Sequence, residues 1–166
     1  WNDSTAKGMS EPELLLYRSN LLGSDLRITN FGGGNTSAKV KDKDPLTGAE
    51  VTVLWVKGSG GDIGSMKLDG FATLYMDKLE SLKGLYKSLD QEDAMVHALN
   101  HCIYNLNSRA PSIDTCLHGY VPYAHVDHVH SDAVIAIAAS KDSERLTKEI
   151  FGSEMGYLPW QRPGID

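Results

Sequence analysis

The chain has 166 residues, of which 41% are hydrophobic and 23% are charged, a composition typical of one soluble globular domain with a hydrophobic core. Its formal net charge of −6 argues against nucleic acid or an anionic membrane as a partner. No apolar run approaches the roughly 20 residues of a transmembrane helix, and Cys102 and Cys116 form no CxxC motif. We therefore expect a cytoplasmic protein in which both cysteines are small core residues.

The N-terminal half is predicted to contain a helix and three strands. Residues 10–13 (SEPE) combine a serine cap, a proline in the first turn and a glutamate three residues after the cap, which predicts a helix ending at Gly23. Residues 38–41 and 51–57 are predicted to pair as an antiparallel hairpin, and residues 71–75 to form a further strand.

A helix capped by Asp90 is predicted next, with an apolar face that runs from Met95 to Leu106. His97 and His101 lie one turn apart on it. No glutamate follows His97 to complete a His-Glu-x-x-His zinc motif, so an exposed or half-buried helix face is the better interpretation of this pair.

The last third is predicted to contain a short helix opening at residues 111–114, a strand over 121–130, an apolar helix capped by Ser131, and a polar helix over 142–151. Strands that come first, with helices mixed among them, indicate an α/β fold. We expect a three-layer αβα sandwich around a largely antiparallel sheet, not a doubly wound one.

Residues 125–132 (HVDHVHSD) carry the strongest functional signal. Side chains alternate along a strand, so His128 and His130 are predicted to share one face, and His125 to lie on the other. Two neighbouring imidazoles are half of a site for zinc or another transition metal. The alternative is that both are ordinary polar residues on a solvated strand face.

Two glycine-rich loops, residues 32–37 (GGGNTS) and 57–60 (KGSG), could wrap an anion, because glycine allows successive N–H groups to point inward. A tight turn before a strand explains the first loop equally well. Neither loop fits a Walker A motif, and no long amphipathic helix follows the second, as a dinucleotide-binding motif requires.

A third candidate group is Ser112 and Asp114 at the predicted start of a helix, with His118 one turn further on. The start of a helix attracts phosphate. Asp114 either stabilises the helix dipole or acts as a general acid/base near the metal. His118 is expected to be a histidine at the edge of the core, or a supporting residue.

Four segments of the chain resemble the class II aldolase/adducin family in their order and spacing. They are residues 33–37, 57–60, 111–118 (PSIDTCLH) and 128–130 (HVH), and the resemblance extends from about Tyr17 to the end of the chain. The chain is more specifically similar to the aldolase part of bifunctional rhamnulose-1-phosphate aldolase/short-chain dehydrogenase proteins. The resemblance implies a class II aldolase-like fold in which residues 1–166 form the N-terminal part of the aldolase domain. The rest of that domain and any dehydrogenase domain are expected to lie beyond it.

The resemblance also implies roles for individual residues. The family holds a divalent metal, usually zinc, with three histidines; His128 and His130 match two of them. The third is expected downstream, so residues 1–166 alone are expected to be inactive. Asp114 stands where the family has an acid/base glutamate, although its side chain is one methylene shorter. The positions that match the substrate phosphate cradle are Gly34, Asn35, Ser59, Gly60 and Ser112.

The activity implied is metal-dependent retro-aldol cleavage of a ketose 1-phosphate, here rhamnulose 1-phosphate, to dihydroxyacetone phosphate and lactaldehyde. The family resemblance further implies a homo-oligomer, a tetramer with active sites at subunit interfaces. Two alternatives remain on the same fold. One is a sugar-phosphate epimerase or dehydratase. The other is a non-catalytic scaffold of the adducin kind, against which His128 and His130 argue.

Overall fold

The structure is a computed structural model that describes residues 1–86 and 92–161. Its strands are β1 (Asn35–Lys43), β2 (Glu50–Lys57), β3 (Phe71–Tyr75) and β4 (His125–His128). Its helices are α1 (Asp3–Ala6), α2 (Glu11–Ser24), α3 (Met76–Leu82), α4 (Glu92–Ala98), α5 (Thr115–Tyr120), α6 (Asp132–Ala138) and α7 (Ser143–Phe151). Two 3-10 turns span Leu68–Gly70 and Leu99–Cys102.

The four described strands form one antiparallel sheet in the order β3-β2-β1-β4. The predicted hairpin is confirmed and is longer than its apolar residues indicated. In the register, Ala38 lies opposite Trp55, and Asn35 lies opposite His128. The second of these pairs matters for function, because it brings the first glycine-rich loop beside a predicted metal ligand.

Each face of the sheet packs against helices. Leu54 and Leu74 point to one face, where they form a buried core with Leu79 of α3. Ala38 and Phe71 point to the other face and pack with Leu15 of α2. Burial of such apolar side chains stabilises the fold by about 1.5–3 kcal/mol each. The predicted three-layer αβα arrangement around an antiparallel sheet is confirmed.

Helix α2 begins as predicted. The Ser10 backbone N–H donates to Glu13 at 2.8 Å, which completes a capping box. The helix ends at Ser24, one residue later than predicted. Its buried face joins the sheet through a polar contact, since the Ser19 and Thr36 hydroxyl oxygens lie 2.6 Å apart.

The predicted helix over residues 90–106 is partly wrong. Asp90 lies outside the described residues, α4 ends at Ala98, and a 3-10 turn follows it. Ile103 forms a β-bridge with Leu74, and Leu106 is 88% exposed. The segment pairs with the edge of β3 instead of continuing the helix, since the Tyr104 N–H donates to the Thr73 carbonyl at 2.8 Å. His97 and His101 are exposed, as expected, and both cysteines are buried in the core.

The histidine-containing strand is also shorter than predicted, since β4 covers only His125–His128. Upstream, residues 121–124 form a turn that is closed by a hydrogen bond from the Tyr123 N–H to the Val121 carbonyl at 2.9 Å. Helix α6 follows with its predicted cap, Ser131, and α7 begins at Ser143, one residue later than predicted. Within residues 1–86 and 92–161, no helix is both long and apolar enough to span a membrane.

Candidate functional site

The two predicted metal ligands lie together at the end of β4. The Nε2 atoms of His128 and His130 are 3.0 Å apart, and both side chains are half-buried. His125 lies on the opposite face, as predicted, and is exposed. The prediction that strand alternation places both histidines is wrong, because β4 ends at His128. His130 instead lies against Gly33, where an added Cβ would be 2.7 Å from its Nδ1.

Asn35 determines which nitrogen of His128 is available. The Asn35 side-chain N–H donates to the Lys57 carbonyl at 3.4 Å, so its Oδ1 faces the other way and lies 3.1 Å from His128 Nδ1. An amide oxygen only accepts hydrogen bonds, so Nδ1 must carry the hydrogen. The lone pair of His128 is therefore on Nε2, which faces His130. A ligating histidine in a metal site is oriented in this manner.

The donor atoms fit one edge of a zinc site. Zinc binds imidazole nitrogens at about 2.0–2.1 Å in tetrahedral geometry, which separates neighbouring ligand atoms by roughly 3.3 Å. The observed separation of 3.0 Å is close to this value. Burial lowers the pKa of His128, which favours the neutral imidazole that binds metal. In the described part of the chain, no three His, Cys, Asp or Glu residues group to hold a metal.

The first glycine-rich loop passes beside the histidines. Gly34 is buried with a φ of 78°, and a Cβ there would lie 2.4 Å from the His128 carbonyl oxygen. Only glycine allows this close approach. Two N–H groups of the loop already have acceptors, since Gly32 donates to Asp62 and Gly33 donates to the Asn30 carbonyl. The loop therefore positions β1 against residues 128–130 and keeps few free donors for an anion.

The second glycine-rich loop is partly occupied in the same way. The Ser59 backbone N–H donates to the Ala110 carbonyl at 2.9 Å, which leaves the hydroxyl for a ligand. Ser59 and Gly60 are exposed. The two loops are joined directly, because the Asn35 side-chain N–H donates to the Lys57 carbonyl at 3.4 Å, and Asp62, just after the second loop, accepts from the Gly32 N–H at 3.1 Å. The two predicted anion loops are thus neighbours in the structure.

Asp114 lies just before α5 rather than in its first turn. Its side chain makes no capping hydrogen bond; instead it accepts one from the Ser112 hydroxyl at 3.0 Å. The Ser112 hydroxyl oxygen in turn accepts from the Asp114 N–H at 3.3 Å. The negative charge of Asp114 acts to raise the pKa of both His128 and Lys57. Ser112 holds the Asp114 carboxylate at the start of α5, and the role of Asp114 beside a metal stays a prediction.

His118 is a fully buried residue beneath β1. Its Nδ1 lies 2.7 Å from the Ser37 hydroxyl oxygen. Burial lowers its pKa to about 4, and nearby His128 acts in the same direction. The prediction of a core histidine is confirmed. The sequence analysis missed its contact with Ser37, although Ser37 lies two residues after Asn35 in β1 and so shares its face of the sheet.

Replacing His118 by asparagine is expected to remove a pH dependence of stability. In the folded protein its pKa is about 4, below the value of 6.5 expected for the unfolded chain. The unfolded state therefore binds more protons, and stability falls as the pH drops from 6.5 to 4, by up to about 3 kcal/mol. Urea unfolding of both proteins at several pH values measures this. Equal slopes in the two proteins would contradict the prediction.

An antiparallel sheet between helix layers, with two glycine loops and a histidine pair at one end, defines a class II aldolase-type domain. Residues 13–166 match the family model described as Class II Aldolase and Adducin N-terminal domain, and the chain belongs to this family. It is similar to the structure of the N-terminal class II aldolase domain of a conserved protein from Thermoplasma acidophilum. The two are 34% identical with a TM-score of 0.83, over 95% of this chain and 72% of that one.

A curated relative is the uncharacterized oxidoreductase YuxG of Bacillus subtilis (strain 168). It is 43% identical over 159 residues, which are 96% of this chain and 22% of the relative. The chain thus spans about a fifth of the length of that protein. The family and the fold predicted from the ordered motifs are confirmed, whereas the roles of individual residues, the metal and the substrate stay predictions.

Proposed function

We propose that the full-length protein cleaves a ketose 1-phosphate by a metal-dependent retro-aldol reaction. Rhamnulose 1-phosphate is the proposed substrate, and dihydroxyacetone phosphate and lactaldehyde are the products. The observation that carries the proposal is the convergence of His128 Nε2 and His130 Nε2 to 3.0 Å. Membership of the class II aldolase and adducin family supports it.

His128 and His130 are the proposed ligands of a divalent metal, preferably zinc, together with a third histidine from a later segment. When bound, such an ion supplies Lewis-acid polarisation of the substrate carbonyl and the adjacent hydroxyl. Asn35 supports this role, because it holds His128 in the tautomer whose Nε2 lone pair is free.

Asp114 is the proposed acid/base. Cleavage of the C–C bond leaves an electron pair on the carbon next to the carbonyl, and a proton must reach that carbon. A carboxyl group near the metal can deliver it. Ser112 donates to Asp114 Oδ2 at 3.0 Å and so holds the carboxylate in one orientation. This contact supports a positioning role for Ser112 in addition to its proposed place in the phosphate cradle.

The substrate phosphate is proposed to lie against the two glycine loops and the start of α5. Ser59 and Gly60 are exposed, and the Ser59 hydroxyl is available to donate. The cradle comprises the five positions implied by the family resemblance, which are Gly34, Asn35, Ser59, Gly60 and Ser112.

We further propose that the domain acts within a cytoplasmic homo-oligomer and that a dehydrogenase domain follows it in the chain. The support for the second part is that the relative YuxG is named an oxidoreductase and that the aligned region is only 22% of its length.

Replacing Asp114 by asparagine is expected to lower kcat for dihydroxyacetone phosphate release by about 100- to 10,000-fold, the usual contribution of general acid–base catalysis. Asparagine keeps the size of the side chain but cannot exchange the proton. The measurement is a coupled assay of the full-length protein with rhamnulose 1-phosphate, with zinc content determined in parallel. Asp93→Asn, an exposed carboxylate on α4, is the matched control.

Three other outcomes of this experiment would indicate a different role for Asp114 or a different function for the protein. An Asp114→Asn protein with normal kcat would remove Asp114 from the role. A wild-type protein that binds zinc but releases no dihydroxyacetone phosphate would favour an epimerase or a dehydratase. A full-length protein that binds no metal would favour a scaffold of the adducin kind.

A further inference from the structure

His118 connects helix α5 to strand β1 inside the protein. It lies one helical turn after Asp114, and its backbone N–H donates to the Asp114 carbonyl at 3.3 Å. Its side-chain Nδ1 lies 2.7 Å from the Ser37 hydroxyl oxygen on β1. The two residues are 0% and 1% exposed, so this hydrogen bond is shielded from water, where such bonds are electrostatically stronger. It therefore holds the first turn of α5 against β1.

Ser37 shares a face of the sheet with the proposed metal ligand His128. In the register of β1 and β4, Ser37 lies opposite Val126, and Asn35 lies opposite His128. Residues directly opposite each other point to the same face, and so do residues two apart along a strand. The His118 contact thus joins α5 to the face of the sheet that carries His128.

The hydrogen bond between His118 and Ser37 has a defined direction. The Ser37 hydroxyl donates to the Val126 carbonyl at 3.4 Å, so its oxygen accepts from His118 Nδ1. Burial lowers the pKa of His118 to about 4, so the ring is neutral at pH 7 and carries one N–H. Its Nε2 is buried and has no hydrogen-bond partner in the described ranges 1–86 and 92–161. The orientation of the ring therefore depends on Nδ1.

Ser37 is itself fixed from a second direction. Arg18 of α2 donates from Nη2 to the Ser37 carbonyl at 2.8 Å, and the same nitrogen lies 3.0 Å from the Asp127 carboxylate. Asp127 directly precedes His128 in β4. Arg18 therefore ties Ser37 to the strand of the proposed metal ligand, and His118 attaches α5 to this fixed point.

The last turn of α5 is held by other contacts. The Tyr120 hydroxyl donates to the Leu79 carbonyl at 3.1 Å. Gly119 lies so close to the same residue that an added Cβ would be 2.2 Å from the Leu79 Cδ2. Cys116 is buried in the core on this face. Loss of the His118 contact is therefore expected to release the first turn of α5 and to leave its last turn in place.

We propose that His118 is a positioning residue for the reaction. Through Ser37 it sets the separation between the Asp114 carboxylate, at the start of α5, and His128 on β4. The proposal rests on the proposed function, in which these two residues are the acid/base and a metal ligand. His118 is wholly buried and acts without touching the substrate. Displacement of a catalytic group by about 1 Å can lower a rate about 100-fold.

The first test is steady-state kinetics of the full-length protein with rhamnulose 1-phosphate. His118→Leu and Ser37→Ala each remove the contact, so kcat is expected to fall about 10- to 100-fold, with KM and zinc content unchanged. His118→Asn places an amide N–H at the position of Nδ1, and kcat should recover toward the wild-type value. His101→Leu, which replaces an exposed histidine, is the control and should leave kcat unchanged.

A double mutant shows whether His118 acts through Asp114. In an Asp114→Asn protein, adding His118→Leu is expected to lower kcat no further, because the group that His118 positions is already lost. An equal fall in kcat in both backgrounds would overturn the proposal. Wild-type kcat in Ser37→Ala, which removes only a hydroxyl, would overturn it even if His118→Leu fails to fold.

A crystal structure of the full-length His118→Leu protein tests the geometry independently of activity. The Asp114 carboxylate is expected to move by about 1 Å relative to His128, with Tyr120 in place. An unmoved carboxylate would contradict the proposal. If the wild type cleaves no sugar phosphate but the carboxylate moves, the contact keeps its structural role, and its role in the reaction falls with the proposed function. If the wild type cleaves rhamnulose 1-phosphate and neither His118→Leu nor Ser37→Ala lowers kcat, only this inference is wrong.

Discussion

Replacing His128 by alanine is expected to abolish zinc binding by the full-length protein and, with it, cleavage of rhamnulose 1-phosphate. His128 is the better oriented of the two proposed ligands, because its Nδ1 contacts Asn35 at 3.1 Å and its Nε2 faces His130. Loss of a residue that only orients a ligand lowers metal affinity by about 10- to 100-fold. Loss of the ligand itself should exceed this. Zinc content after gel filtration and a chelator competition assay measure the effect.

The control for this experiment is on the same strand. His125→Ala removes an imidazole from the exposed, opposite face of β4 and should leave zinc affinity and kcat unchanged. Unaltered thermal unfolding of the two metal-free proteins would exclude a general loss of structure. Full zinc occupancy in His128→Ala, with His125→Ala behaving like wild type, would show that the histidine pair is not the metal site.

Asn35→Ala provides a graded result between these two. The variant keeps both imidazoles but removes the oxygen that selects the His128 tautomer. Zinc affinity is expected to fall by about 10- to 100-fold, because Asn35 only orients the His128 ring and does not bind the metal itself. An order of affinity that runs wild type, Asn35→Ala, His128→Ala would link the geometry of the pair to its chemistry.

Sequence patterns that extend over a few neighbouring residues predicted several helices and strands correctly. The capping box at Ser10 and the alternating apolar residues of β2 each act over a few positions, and both elements form where expected. The helix predicted through Leu106 failed for the opposite reason. Its apolar periodicity was real, but pairing with the edge of β3 is a long-range effect that periodicity does not contain.

The histidine pair was predicted for a reason that is only half right. Strand alternation places His128, whereas His130 lies beyond the strand and is positioned by the absence of a side chain at Gly33. The contact between Asn35 and His128 depends on the register of two strands that are 93 residues apart in sequence. No local pattern contains that register, so Asn35 was assigned to phosphate alone.

Asp114 and Lys57 differ in how much of their environment the local sequence predicts. The sequence singles out Asp114 both at the predicted start of a helix and in a family motif, and in the structure its carboxylate accepts from the Ser112 hydroxyl at 3.0 Å. Lys57 was visible only as the first residue of a glycine loop. Lys57 is only 4% exposed in the structure, and it lines a cavity together with Arg109 and residues of the 3-10 turn, which come from later parts of the chain. Such a site becomes apparent only when the segments are folded together.

Replacing Gly23 by alanine is expected to destabilise the fold by about 2–3 kcal/mol, the cost of overpacking at a tight contact. The end of α2 lies directly on the loop after the second glycine motif, and an added Cβ at Gly23 would be 2.1 Å from the Gly64 nitrogen. The nearest atoms all belong to the backbone, so no side chain can move aside.

On helix propensity alone, the opposite result would be expected, since alanine stabilises a helix by about 1 kcal/mol relative to glycine. Urea unfolding therefore separates the two effects by sign. Gly84→Ala is the matched control, because its nearest contact would be an ordinary 3.5 Å from the Ser81 carbonyl oxygen. It should change stability by no more than about 0.5 kcal/mol. A stabilised Gly23→Ala protein would show that α2 does not approach residues 63–64 this closely.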